Sequence, residues 1–200
     1  LVDEENSRMK VLLKGQQSDK IDLIMRTGEI IEQLKNEVET NKHDITIIGG
    51  GGNKGIHQKL VQFIDSSVFV VKNYSVSKKY KILLPVNDSK GSDMAIETAI
   101  NFAKSYKLNV EIVSVPEGKK SIEEVEKILK KTKEKFSKNR IKTTTKLIDG
   151  PTVNSIVNYA KDDSIVILGV SPKNPIMKYF FGSKPLSIAQ KCNCPVLITK

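Results

Sequence analysis

The chain has 200 residues, 38% of them hydrophobic, enough for one large or two small α/β domains with real cores. No apolar run approaches the roughly eighteen residues that span a bilayer, no secretory signal pattern opens the chain, and Cys192 and Cys194 are too few for a disulfide framework. These features point to a soluble protein of the reducing cytoplasm. The first residue is Leu1 rather than Met, so the expectation is a piece of something longer.

The net charge of +10 is uneven: residues 1–74 hold 10 basic and 11 acidic side chains, residues 75–200 hold 23 and 12. Such asymmetry can mark a nucleic-acid or anionic-membrane contact. Much of the excess lies between residues 127 and 146, where Ile122, Val125, Ile128 and Leu129 recur at helical spacing just upstream or within it. That is an amphipathic helix with a solvated face. No RNA-binding aromatic motif or zinc-finger spacing accompanies it, so no nucleic-acid partner is expected.

In chain order, residues 3–14 read as a helix, 44–49 (DITIIG) and 67–72 (SVFVVK) as strands, and 73–79 as a short polar linker. Residues 81–86 (KILLPV) form the next strand. A helix over 92–106 follows, with Ala95, Ile96, Ala99, Ile100 and Ala103 on one side and Ser92 placed to cap it. Then come a strand at 108–115, a helix at 122–137, and a strand at 141–148 carrying β-branched Thr143, Thr144 and Thr145. A helix over 151–160 has Pro151 in its first turn and Asp149 as a candidate cap. The strand 164–169 (SIVILG), a loop over 170–182, a short helix over 183–191 and the strand 195–199 (PVLIT) close the chain. Five strands separated by helices, with continuous apolar runs, imply a parallel sheet covered on both faces.

The first part repeats the second half of this plan. Residues 25–31 sit where 147–153 sit later, 44–49 matches 164–169, and 67–72 matches 195–200. The expected organisation is a partial copy over 1–74, lacking its opening strand, helix and second strand, and a complete copy over 79–200.

Gly169-Val170-Ser171-Pro172 is followed, nine residues on, by Gly182-Ser183 and a helix. A strand ending in glycine lets backbone approach a ligand, and a glycine opening a helix offers free N–H groups to phosphate. Ser183 adds a hydroxyl, and Lys173, Lys178 or Lys184 could balance charge. The competing reading is turn geometry alone, and spacing does not separate the two. In the first part, Gly50, Gly52 and Gly55 satisfy G-x-G-x-x-G, but the next strand ends at Lys72-Asn73 with no acid for a ribose. Cys192-x-Cys194 lacks further metal ligands. His43 and His57 have no nucleophile motif around them. Met177, Tyr179, Phe180 and Phe181 read as core packing or a subunit contact. No catalytic constellation and no metal site is expected.

The Gly169 to Ser183 spacing, with Cys194-Pro195-Val196-Leu197 closing the chain and 82–89 (ILLPVNDS) opening the domain, resembles the universal stress protein family over all of 79–200. The resemblance implies a five-stranded Rossmann-like sheet of the adenine nucleotide alpha hydrolase-like type, dimerisation through the last strand, and in one branch bound ATP. It places Pro85, Asn87 and Val115 on the adenosine and Gly169, Gly182 and Ser183 on the phosphates. Two positions depart from the family: its second glycine is Pro172 here, which lacks a backbone donor, and its usual acid is Asn87. Weak adenine-nucleotide binding is therefore expected, in a non-catalytic regulatory or sensory module in which nucleotide or a partner orders the 170–182 loop. The alternatives are a cytosolic regulatory domain of a membrane transporter (a cation, chloride or amino-acid carrier), whose basic half would face anionic lipid, and, more remotely, a dinucleotide-using enzyme.

Overall fold

The computed structural model describes residues 24, 26–51, 54–118, 121–170 and 183–200, with backbone alone at 54 and 183. In chain order the elements are α1 (Ile30–Asn41), β1 (Ile45–Gly49), α2 (Lys54–Phe63), β2 (Ser67–Val71), β3 (Lys81–Pro85), α3 (Lys90–Tyr106) and β4 (Val110–Ser114). They continue with α4 (Ile122–Lys138), β5 (Thr143–Leu147), α5 (Thr152–Tyr159), β6 (Ser164–Gly169), α6 (Ser183–Lys191) and β7 (Val196–Thr199). The helix read over 3–14 lies outside the described residues.

All seven strands join one sheet in the order β1-β2-β7-β6-β3-β4-β5. Every neighbouring pair is parallel except β2 with β7, which run antiparallel with Val68 opposite Ile198 and Val70 opposite Val196. The five strands expected for 79–200 are all present in it. Strands β3 to β7 do lie together, but they continue into β2 and β1 because the two closing strands, each an apolar edge, pair with one another. Two lysines secure this junction. Lys72 Nζ donates to the carbonyls of Ala189, Gln190 and Cys192 at 2.7, 3.0 and 3.1 Å, at the C-terminal end of α6. Lys200 Nζ does the same to Ile64 O, just past α2. Each follows a closing strand and neutralises the negative end of the helix across the junction.

Alternation along the strands sorts the core into two layers. Leu83, Val113, Val166, Leu168, Val196 and Ile198 face α1, α2, α5 and α6. Their neighbours Ile82, Leu84, Ile112, Ile165, Ile167 and Leu197 face α3 and α4. Burial on both faces is why these strands are continuous apolar runs. Among the described residues no helix is long and apolar enough to cross a membrane.

The helix starts differ from expectation. α3 is capped by Ser89, whose hydroxyl accepts from Ser92 N at 3.2 Å, while Ser92 Oγ accepts from Asn87 N at 3.0 Å. Ser92 is thus inside the helix and ties it to the loop before it. α5 has Pro151 at its N-cap with no side-chain cap bond, and the Asp149 side chain does not cap it. Instead the backbone carbonyl of Asp149 accepts from Ser155 Oγ at 2.8 Å. α4 carries a full capping box between Ser121 and Glu124.

Candidate functional site

β3 stands between β6 and β4, and from it the chain runs outward to β5 on one side and to β7 on the other. The helices that follow β3 and β6, α3 and α6, lie on opposite faces of the sheet, and a crevice opens at the carboxyl ends of these strands. In parallel α/β sheets such a switch point is where ligands bind. A cleft of about 670 Å³ occupies this position, within the common size range of small-molecule sites, about 300–1,000 Å³. Its floor and walls include Pro85, Asn87, Ser92, Ser114, Val115, Ile128, Thr152, Ile156, Gly169 and Ile188.

Four of the residues singled out from sequence, Pro85, Asn87, Val115 and Gly169, therefore meet in one cleft. Ser183 begins α6 at its rim, with its side chain outside the described atoms, and Lys184 and Pro185 of the same turn line the cleft. Gly182, Pro172, Lys173, Lys178 and the aromatic run 179–181 lie outside the described residues.

Gly169 lines the cleft and also has a packing role. A Cβ there would meet Gly91 O at 1.6 Å. The missing side chain lets β6 pass against the first turn of α3. Asn87 is also partly committed: its Oδ1 accepts from Ser89 N at 3.0 Å and from Ser89 Oγ at 2.6 Å. Those two bonds shape the loop entering α3. Ser114 Oγ donates to Val86 O at 2.8 Å, closing the floor between β3 and β4.

Two cleft residues escaped the sequence reading. Thr152 Oγ1 is buried and has no hydrogen-bond partner among the described residues. A buried orphan hydroxyl is costly, and threonine in a helix shares two χ1 wells, so a rotation can offer this oxygen to a ligand. Glu117 holds Lys184 Nζ with both carboxylate oxygens, at 2.6 and 2.5 Å, bridging the β4–α4 loop to α6. The available signal for both was positional: Glu117 lies just past β4 beside Gly118, and Thr152 follows Gly150-Pro151 at the start of α5.

Gly50, His57, Cys192 and Cys194 take part in packing or hydrogen bonding within the fold. A Cβ at Gly50 would strike the Lys72 stem, 2.0 Å from Cγ, and Gly50 N donates to Val71 O at 2.8 Å; Gly52 lies outside the described residues. His57 packs against the end of β1, Nε2 3.2 Å from Gly49 O. Cys192 and Cys194 are buried in the core. The described residues hold no group of three or more His, Cys, Asp or Glu side chains suited to a metal.

The sequence profile of the universal stress protein family matches residues 80–200, more than half of the chain. The chain belongs to the universal stress protein family. A universal stress protein of Methanocaldococcus jannaschii is 28% identical over 138 residues, covering 60% of this chain and 81% of that protein. A solved universal stress protein from Archaeoglobus fulgidus superposes with a TM-score of 0.70 at 16% identity, over 98% of this chain and 78% of its own. A putative universal stress protein from Pseudomonas aeruginosa gives 0.72 at 13%, with the same coverages. At such identities these two establish the fold. They also extend the likeness past the profile match to the N-terminal strands, so β1 and β2 belong to an arrangement found in single chains elsewhere in the universal stress fold.

Proposed function

We propose that this chain is a non-catalytic regulatory module of the universal stress type, built as a partial copy over 1–74 and a complete copy over 79–200, whose cleft takes an adenine nucleotide weakly. The observation that carries the ligand reading is the cleft at the switch point, where Pro85, Asn87 and Val115 meet on one side and the start of α6 on the other. The unpartnered Thr152 hydroxyl in its wall supports a ligand with polar edges. The tandem reading is supported by the antiparallel β2–β7 junction and the reciprocal lysines Lys72 and Lys200.

Weak binding follows from the chemistry of two residues. Pro172 has no backbone N–H to give a phosphate, and Asn87 offers no carboxylate to a ribose or a metal. Each lost hydrogen bond to a charged ligand costs about 1.5–3 kcal/mol, about ten- to a hundredfold in affinity. Two such losses move a micromolar site toward millimolar. Calorimetric titration with ATP and Mg²⁺ tests this. Binding in the high micromolar to millimolar range is expected for the native chain, with tightening on Pro172→Gly plus Asn87→Asp. Submicromolar binding by the native chain, or no gain in the double variant, refutes it.

The same reading includes self-association. Ile47 on β1 is 66% exposed, and β1 pairs only with β2 among the described residues. An open apolar edge of this kind favours pairing with another chain.

A further inference from the structure

Among the described residues lining the cleft, Lys184 is the one cation, and Glu117 already grips it through both oxygens. The two come from separate walls. Glu117 follows Pro116 in the loop after β4, next to Gly118 with φ +66°, and Lys184 stands in the first turn of α6. Their bond therefore crosses the cleft at the end where α6 presents its N-terminus, the end suited to an anion.

We propose that the Glu117–Lys184 ion pair is an internal competitor for the anionic part of the ligand, a latch that must open before phosphate can reach Lys184. This rests on the reading of the cleft as a nucleotide site. Geometry gives the mechanism. A carboxylate holding an ammonium in two short bonds mimics a phosphate oxygen pair, so both cannot bind Lys184 in the same way at once. After displacement, Glu117 remains beside the incoming anion and repels it. Both side chains are about half exposed, at 52% and 40%. Exposed pairs are worth about two- to fivefold in an equilibrium, so the latch lowers anion affinity without sealing the cleft. It selects against charge: a neutral nucleoside, which does not need Lys184, is indifferent to it. The buried, unpartnered Thr152 Oγ1 is independent of the latch and marks the deeper cleft wall as ready for a polar ligand group.

The experiment is calorimetric titration of adenosine, ATP and inorganic tripolyphosphate into the native chain, Glu117→Gln and Lys184→Gln. Exposure of both side chains makes folding of the variants secure, and matching melting curves verify it. ATP should bind Glu117→Gln about two- to fivefold tighter than the native chain and Lys184→Gln about tenfold weaker than Glu117→Gln. Adenosine should bind the native chain and Glu117→Gln equally. If ATP binds the native chain and Glu117→Gln with the same affinity, the latch is overturned and the nucleotide reading stands. If neither ATP nor adenosine binds any of the three, the nucleotide reading fails and tripolyphosphate decides the latch. Tighter tripolyphosphate binding by Glu117→Gln upholds it for a simpler anion, and equal or absent binding overturns it.

Discussion

At Gly169 a hydrogen stands where any side chain would overlap the Gly91 carbonyl, 1.6 Å from the built Cβ. Both partners are backbone, so relief requires α3 to move off the sheet. Gly169→Ala should cost about 2–3 kcal/mol, read as a lower denaturant midpoint whether or not nucleotide is present. A variant of native stability would mean that α3 accommodates the added methyl and the contact is not tight. Thr152 carries the opposite expectation. Replacing an unsatisfied buried hydroxyl by a methyl of similar shape, Thr152→Val, should leave stability unchanged or raise it by about 1 kcal/mol, while nucleotide affinity falls. A loss of stability instead would reveal a hidden partner for the oxygen. On the outer part of the sheet, Glu111 accepts from Tyr159 at 2.5 Å and from Lys81 at 2.9 Å. Burial pushes the Glu111 carboxyl up, but the bonds from Tyr159 and Lys81 outweigh it and hold the group below its ordinary 4.5. Tyr159 is pushed up to about 12 by burial and by Glu111. A lowered acid stabilises above its unfolded value and loses that as pH falls through the folded one. A raised phenol stabilises below 10.0 and loses that as pH rises through about 12. Denaturant midpoints should therefore decline across that alkaline window, and Tyr159→Phe should flatten part of the decline while lowering the plateau by about 1 kcal/mol. An unchanged alkaline limb in Tyr159→Phe would assign the decline to other groups.

Among the elements, the strands were the most legible in sequence because they are buried on both faces: KILL in β3, SIVIL in β6 and VLIT in β7 carry no polar face to confuse the pattern. The helices were legible in existence and less so at their starts. Ser89 and Ser92 are three apart, and either can cap α3. The choice is made by a bond from Asn87 N to Ser92 Oγ that exists only once the loop is folded. The cleft was half legible. Pro85 and Gly169 end strands, Asn87 and Val115 follow them, and a parallel sheet gathers strand ends. The Glu117–Lys184 pair spans 67 positions and the Gly91–Gly169 contact joins two elements far apart in the chain, so neither leaves a local periodicity. The same holds for Lys72, which reads as an ordinary strand-end lysine and in fact satisfies three carbonyls at the end of α6. Lys72→Met keeps much of the apolar stem and removes the charge. It should cost about 1–3 kcal/mol, with increased amide exchange at the C-terminal turn of α6. A stability change confined to β2, with α6 exchange unaltered, would show that the lysine does not hold the helix.

The molecule as a whole is asymmetric about the β2–β7 junction. On one side β6 is flanked by β3 and covered by α3, which packs its Ala95, Ile96, Ala99 and Ala103 stripe onto the sheet. On the other side β1 has β2 alone as a described neighbour; on the face that α3 covers, Phe102 meets Phe69 with ring centroids 6.4 Å apart, and Ile45 of β1 packs against the same layer. Beyond that contact Ile47 and Tyr106 are each 66% exposed, with Tyr106 leaning on Phe102 at 5.4 Å. Apolar side chains on the same sheet face next to an open strand edge form a patch that water solvates poorly and a second chain can bury. Self-association through this region is the expected behaviour. Sedimentation of the chain over a concentration series should show a reversible dimer, and Ile47→Lys should shift it toward monomer. Placing a charge there is the device natural edge strands use to prevent pairing. Because Ile47 is already exposed, the substitution should leave the monomer's stability within about 0.5 kcal/mol, so a change in association would not be a folding defect. Tyr106→Ser should act in the same direction, and a substitution on the far edge, Thr144→Lys on β5, should not. A strict monomer at all concentrations, or a dimer indifferent to Ile47→Lys yet weakened by Thr144→Lys, would move the contact to the other end of the sheet or remove it.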